Sequence, residues 1–190
     1  GGNVGIINHL SITTQVSFNV SEVGINDSLI DNGMIQIGDM ISSELSEMCK
    51  VFLNGKWIGV HSRPDFLYKV MRLLKLNSII HLHTSIYWDI SLNEIYLFCD
   101  SGRLLRPILA LKKMGKLTSN ELIEGNIETL SSWNHLIRGG HMYKLYPEMS
   151  VYDEMYHQDE FMKIKDKHED WLAYLEDNIA HIEYVDPLET

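Results

Sequence analysis

Cys49-Lys50-Val51-Phe52-Leu53-Asn54-Gly55-Lys56-Trp57-Ile58-Gly59-Val60 decides how the rest of this chain is read. Two runs rich in β-branched and aromatic residues flank Asn54-Gly55. That pair suits a type I′ turn, whose two central residues both need positive φ. A β-hairpin is therefore expected, with Asn54 and Gly55 at its tip. Trp57 reads as a core or inter-domain anchor, because a large aromatic gains most from burial. Downstream, Pro64 beside Asp65 suits a helix start. Phe66, Leu67, Val70, Met71, Leu73 and Leu74 then recur at helical spacing, which leaves Lys69, Arg72 and Lys75 toward solvent.

Working outward, residues 84–88 and 94–98 read as a second hairpin, and 107–111 as a third strand. Helical stretches are expected near 118–124 and 128–137. A longer helix is expected within 151–179, where Trp171, Leu172 and Leu175 share a face, and 182–185 reads as a closing strand. Upstream, Gly1-Gly2-Asn3-Val4-Gly5-Ile6-Ile7 reads as a loop feeding a short buried segment. Residues 21–47, punctuated by Gly24, Gly33 and Gly38, read as one or two short helices joined by turns. The abrupt start without Met implies a piece of something longer. The expected class is α+β: antiparallel β-hairpins with several short-to-medium helices.

With 190 residues, 45% of them hydrophobic, the chain has room for one large or two small domains. No apolar run reaches the length of a membrane span, and no basic-then-apolar leader is present. Cys49 and Cys99 form no disulfide framework and no zinc-finger spacing, which favours free thiols in a reducing compartment. The formal charge of -10 argues against coating nucleic acid through net charge. That charge is unevenly placed. Residues 1–49 hold six acids and no Lys or Arg, and 50–76 hold six basic groups and one acid. Residues 101–138 hold six basic and three acidic groups, and 139–190 hold four lysines against thirteen acids. Either these are solvated faces, or the basic middle and the acidic end have different neighbours within a fold or an assembly.

No catalytic grouping stands alone. The glycine-rich opening lacks the Gly-Lys-Ser/Thr ending of a phosphate loop. His81 and His83 alternate as two metal ligands on a strand would, but a third from Cys99 or His61 would be required; half-buried histidines are the plainer reading. Asp153, Glu154, Asp159 and Glu160 could meet a hard cation or could form a solvated charged face. Asp100-Ser101-Gly102-Arg103-Leu104-Leu105-Arg106-Pro107 places two guanidinium groups around a turn. Arg103 and Arg106 could fork a phosphate or carboxylate, or Arg103 could pair with Asp100 and pin the turn.

Taken in order, these segments resemble the second-largest (β-like) subunit of multisubunit DNA-directed RNA polymerases of the archaeal/eukaryotic type. Gly2-Asn3-Val4-Gly5-Ile6-Ile7-Asn8-His9-Leu10-Ser11 looks like the family's Gly-x-x-Gly-Leu-x-x-x-Leu-Ser. The Glu-Thr-Pro-Glu-Gly that precedes it in the family is not in the chain. Val51 to His61 resembles Val-Phe-Val-Asn-Gly-x-Trp-x-Gly-Val-His, carried here by Asn54, Gly55, Trp57, Gly59 and His61, and Pro64 and Leu67 continue the match. Thr84-Ser85-Ile86-Tyr87-Trp88-Asp89, then Glu94-Ile95, sit where the family has Ser-Ile-x-Arg-Asp and Glu-Ile/Leu. Asp100, Gly102, Arg103, Arg106 and Pro107 fall on its Asp-x-Gly-Arg-x-x-Arg-Pro. Trp171-Leu172 and Ile182-Glu183-Tyr184-Val185-Asp186, with Glu189, resemble its ending. Trp88 replaces the family's arginine, and 139–170 is acidic and follows no family pattern; both suggest a cellular outlier or, preferably, a large DNA virus.

The resemblance implies 1–20 as the end of the fork, 21–115 as an external 1-like domain, and 116–190 as an external 2-like helical region with an acidic insert. It implies a non-catalytic scaffold and contact region, inactive alone, with no cofactor of its own. In the intact enzyme Mg²⁺ would be held by the largest subunit and Zn²⁺ elsewhere. The implied partners are the other polymerase subunits, chiefly the largest, with DNA template and RNA met only through the complex and no membrane. Asn3, Gly5, Asn8 and Ser11 would lie on the active-centre side, and Arg103 and Arg106 would serve turn and subunit packing. The location would be intracellular: virion and host cytoplasm if viral, nucleus if cellular. The alternative is a free-standing acidic adaptor that binds a partner through its basic 50–76 surface.

Overall fold

The computed structural model describes residues 5, 9–39, 48–110, 132–150 and 156–189. In chain order these form β1 (Gln15–Val16), α1 (Glu22–Asp31), β2 (Ile35–Gln36), a 3₁₀ turn (Ile37–Asp39), β3 (Cys49–Leu53), β4 (Lys56–His61) and α2 (Pro64–Leu76). Then come β5 (Ser85–Asp89), β6 (Glu94–Phe98), β7 (Leu104–Leu109), α3 (Trp133–Ile137), α4 (Gly140–Leu145), α5 (Gln158–Lys167), α6 (Trp171–Asp177) and β8 (Ile182–Val185). The α+β class holds, with both hairpins antiparallel.

The Asn54-Gly55 tip is built as its chemistry requires, with φ of 47° and 78°. From the tip, Leu53 pairs with Lys56 and Phe52 with Trp57; a bulge then shifts the register so that Val51 faces Gly59. Val51 and Leu53 point into the core, so Phe52 and its cross-strand partner Trp57 take the outer face. Trp57 is 39% exposed and donates its indole N–H to the Gly59 carbonyl at 2.8 Å. The expectation of a core Trp57 is therefore corrected: sheet alternation puts it outside.

Strands β2-β4-β3-β6-β5 make one five-stranded sheet. The second hairpin joins it through β6 running parallel to β3, with Val51 opposite Ile95. That parallel pair was not expected. It arises because β4 and α2 carry the chain back over the sheet before β6 is laid down, and a parallel neighbour requires such a crossover. Helix α2 starts at Pro64 and buries Leu67, Val70, Met71 and Leu74 against the sheet. Burying four such side chains contributes very roughly 1.5–3 kcal/mol each, before the entropy of ordering them is counted.

The second sheet, β1-β7-β8, takes one strand from each of the segments 1–20, 21–115 and 116–190. Strand β7 begins at Leu104, three positions ahead of the expected 107. Pro107 pairs with Tyr184, and β1 reaches only Leu104 and Leu105, so the proline's missing donor costs the ladder nothing.

The single longer helix expected within 151–179 is two, α5 and α6. The Asp170 carboxylate accepts the Ala173 N–H at 3.0 Å and starts a new helix there. Trp171, Leu172 and Leu175 do pack on the core, alongside Phe161 and Ile164 of α5. The helix expected near 118–124 lies outside the described residues, and of the 128–137 stretch the described part forms α3.

Candidate functional site

The hairpin motif residues do more than turn the chain. The Asn54 side chain accepts the Cys99 N–H at 2.9 Å and donates to Glu22 at 2.9 Å, which ties the tip to the end of β6 and to α1. Gly59 is required by proximity: a Cβ there would lie 2.4 Å from the Ile35 carbonyl oxygen and 2.9 Å from Met34 Cγ, so only glycine lets β2 close on β4. His61 is buried; its Nδ1 accepts the Arg63 N–H at 3.0 Å, which leaves Nε2–H to donate to the Asn32 carbonyl at 3.1 Å. Asn54, Gly59 and His61 each fix an approach between elements.

The Asp100–Pro107 turn separates the two arginines. Arg103 is spent internally. Its Nε donates to Asp100 Oδ1 at 2.8 Å, one Nη donates to the His83 carbonyl at 2.8 Å, and the other bonds Ser85 Oγ and lies 3.6 Å from Asp186 Oδ2. Of the two sequence readings, internal pinning of the turn is the one built. Gly102 turns the chain between Asp100 and Arg103 at φ 90°. Arg106 points out to solvent and makes no hydrogen bond or ion pair among the described residues.

Behind this turn lies a buried charge lattice. Lys75 Nζ is 2.8 Å from Glu189 Oε1 and 3.6 Å from Glu183 Oε1, with all three side chains at most 6% exposed. Arg72 reaches Glu183 Oε2 at 2.8 Å. Burial, the largest single influence, opposes the Arg72 charge, but Glu183, Tyr68 and Glu189 together outweigh it and raise the pKa. Glu189 also accepts the Ile86 N–H at 2.9 Å, which caps the edge of β5, and Asp186 accepts the Leu188 N–H at 2.8 Å. Three cations (Arg72, Lys75, Arg103) thus face three acids (Glu183, Asp186, Glu189). The solvent-facing expectation for Lys75 is corrected. A signal was present: Lys75 stands four residues after Met71 and eight after Leu67, on the apolar face.

His81 and His83 lie in the turn before β5 rather than on a strand. Their rings pack edge-on at 5.1 Å and both flank Phe18. His83 Nε2 meets Gln15 Oε1 at 3.3 Å, and burial, with His81, Arg103 and Lys75 adding, lowers its pKa to about 3. Among the described residues no three His, Cys, Asp or Glu side chains are grouped as a metal would need. Cys49 and Cys99 are buried free thiols; burial pushes Cys49 up to about 11, so neither is poised as a nucleophile. Asp153 and Glu154 lie outside the described residues, and Glu160 is held by Lys163 at 2.6 Å. Of the active-centre-side segment, Gly5 and Ser11 are exposed, and the Ser11 carbonyl accepts the Thr14 N–H. Asn3 and Asn8 lie outside the described residues.

Five of the six basic groups in the stretch 50–76 pair with acids within the molecule. Lys50 pairs with Glu94, Lys56 with Glu22, Lys69 with Glu176, and Arg72 and Lys75 with Glu183 and Glu189. Arg63 lies over the Phe66 ring at 5.2 Å. A basic adaptor surface is not what these residues form.

Residues 51–112 match the family model described as RNA polymerase Rpb2, domain 4. The match spans the hairpin, α2, the lattice's Arg72, Lys75 and Arg103, and the Asp100–Pro107 turn. Over most of its length the chain is similar to second-largest RNA polymerase subunits. It is 27% identical over 186 residues, 98% of its length, to the DNA-directed RNA polymerase II subunit RPB2 of Meyerozyma guilliermondii, and covers 14% of that protein. It is 29% identical over 140 residues to the RPB2 subunit of Encephalitozoon cuniculi, covering 74% of this chain and 12% of that one. To the DNA-directed RNA polymerase D subunit 2b of Arabidopsis thaliana it is 30% identical over 121 residues, or 64% of this chain and 11% of that one. The chain therefore spans only about an eighth of the length of these curated second subunits.

Proposed function

We propose that the chain is a non-catalytic scaffold and contact region of the second-largest subunit of a DNA-directed RNA polymerase, supporting DNA-templated RNA synthesis by the assembled enzyme. The observation that carries this is the Rpb2 domain 4 match over 51–112, together with relatives that are polymerase second subunits. The geometry supports the scaffold role: Asn54, Gly59, His61 and Arg103 go into joints between elements, and Arg72, Lys75 and Arg103 are held by internal carboxylates. Substrate chemistry is left to other parts of the enzyme, with Mg²⁺ assigned to the largest subunit and Zn²⁺ elsewhere. The largest subunit is the chief partner in this reading, and DNA and RNA are met only through the complex.

The finer assignments belong to the same proposal. Residues 1–20 form the end of the fork, 21–115 an external 1-like and 116–190 an external 2-like region, in an intracellular polymerase of a large DNA virus. The viral origin rests on Trp88, which replaces an arginine and packs near Tyr68 at 5.9 Å, and on the acidic 139–170 stretch. The test is purification of the protein from its source with its partners. The expected result is co-purification with a largest subunit, template-dependent NTP incorporation by that complex, and none by the 190-residue chain alone. Incorporation by the chain alone, or a stoichiometric complex without a largest subunit, overturns the proposal.

A further inference from the structure

Arg106 is the motif residue that the fold leaves unused. Its companion Arg103 is fully engaged, while Arg106 makes no hydrogen bond or ion pair among the described residues and borders a groove of about 280 Å³. The groove runs between the segment entering β1 and the start of β7, walled by Leu10, Thr14, Leu104, Val185 and Pro187. Leu10 and Leu104 remain 62% and 44% exposed. Val16, also exposed, pairs with Leu104 across the strands, and Arg106 lies two residues further along the same face of β7. Asp186 also lines the groove, but its carboxylate is held by the Leu188 and Glu189 N–H groups and by Arg103. The groove thus offers an apolar wall with one unspent charge, a cation.

We infer that this groove docks a protein segment carrying an aliphatic side chain beside a carboxylate, which Arg106 holds in its fork. The charge selects an acid, and the geometry of the guanidinium favours a carboxylate gripped by two N–H groups. The apolar wall selects an aliphatic neighbour. The groove is smaller than the roughly 300–1,000 Å³ typical of small-molecule sites, which suits a side chain better than a free ligand. A nucleic acid would need several cations along its track, and among the described residues Arg106 is the one cation that lines this groove. Arginine is also among the residues that protein interfaces favour at their centres. The inference goes beyond the polymerase reading and does not need it.

The test places Leu104→p-benzoylphenylalanine in the protein, purified from its source with its partners, and maps the photo-adduct by mass spectrometry. The expected adduct is on a polypeptide, at an aliphatic residue with Asp or Glu within three positions. Arg106→Glu is expected to cut the adduct at least about tenfold, as charge reversal at a buried ion pair does, and Lys at the mapped acid is expected to restore it. Leu10→Asp gives an independent check on the apolar wall and should reduce the adduct with Arg106 intact. An adduct to nucleic acid, an adduct indifferent to Arg106→Glu, or no adduct overturns the inference. The two readings fail separately. A mapped segment from a protein that is no polymerase subunit leaves this inference standing; a co-purified largest subunit without an adduct leaves the polymerase reading standing.

Discussion

Lys75 is the residue whose environment differs most from its sequence reading, and it sets the sharpest test. Its ammonium is 2% exposed and touches two carboxylates that are themselves nearly buried. A buried ion pair earns little over an apolar substitute of similar shape, but removing one partner strands the other charge. Lys75→Met should therefore cost about 3–5 kcal/mol at neutral pH, read from urea denaturation, because Glu183 and Glu189 lose the cation between them. A loss under about 1 kcal/mol would mean that Arg72 and water satisfy the acids without it. Lys75 escaped the sequence reading for a physical reason. Helical spacing reports which face a residue is on, and the face here is apolar, but the lysine's charge argued for solvent. The carboxylate that settles the conflict, Glu189, is 114 positions away.

At the level of elements, what local chemistry controls could be read directly: the Asn54-Gly55 turn, the start of α2 at Pro64, the hairpin expected at 84–88 and 94–98 and built one residue on in its first strand, and the closing strand β8. What escaped depends on contacts distant in sequence. The parallel β3–β6 pair follows from a crossover, the outward Trp57 from its pairing opposite Phe52 on the outer face of the sheet, and the break between α5 and α6 from one capping carboxylate. The candidate site divided the same way. The motif residues could be picked out, but Asn54 was legible only as a turn residue and not as a clamp on Cys99. Asn54→Gly separates the two roles. It keeps a type I′ turn with positive φ available at both centres, yet leaves the fully buried Cys99 N–H without its acceptor. The expected cost is about 1–3 kcal/mol from the unsatisfied donor. Native-state amide exchange should show it as faster exchange at Cys99. Unchanged protection there would show that the turn alone accounts for the asparagine.

The whole molecule turns its charge imbalance inward. The acids of the chain's end, Glu176, Glu183 and Glu189, are the partners of Lys69, Arg72 and Lys75, so a net charge of -10 coexists with a neutral interior. Such a balance holds only while the acids are ionised and the buried histidines are neutral. Burial holds His83 at a pKa of about 3 and lowers those of His141 and His157. Below about pH 6.5 the unfolded chain takes up protons at these positions that the folded one refuses, so the unfolded state binds more protons and stability must fall as the pH drops. For His83 this continues down to its folded pKa of about 3. The half-buried carboxylates of Asp89, Glu94 and Glu160 act in the same direction. Hydrogen bonds, first from Ser91, Tyr96 and Lys163 respectively, lower their pKa values, and that stabilisation is lost on acidification. Urea midpoints between pH 7.5 and 4 should therefore decline steadily, with His83 alone contributing a slope of up to about 1.4 kcal/mol per pH unit. His83→Phe keeps a ring against Phe18 and Tyr184 but cannot titrate, so its curve should be flatter below pH 6.5 than that of the unaltered protein. Parallel curves for the two proteins would show that the acid sensitivity resides in His141, His157 and the carboxylates instead.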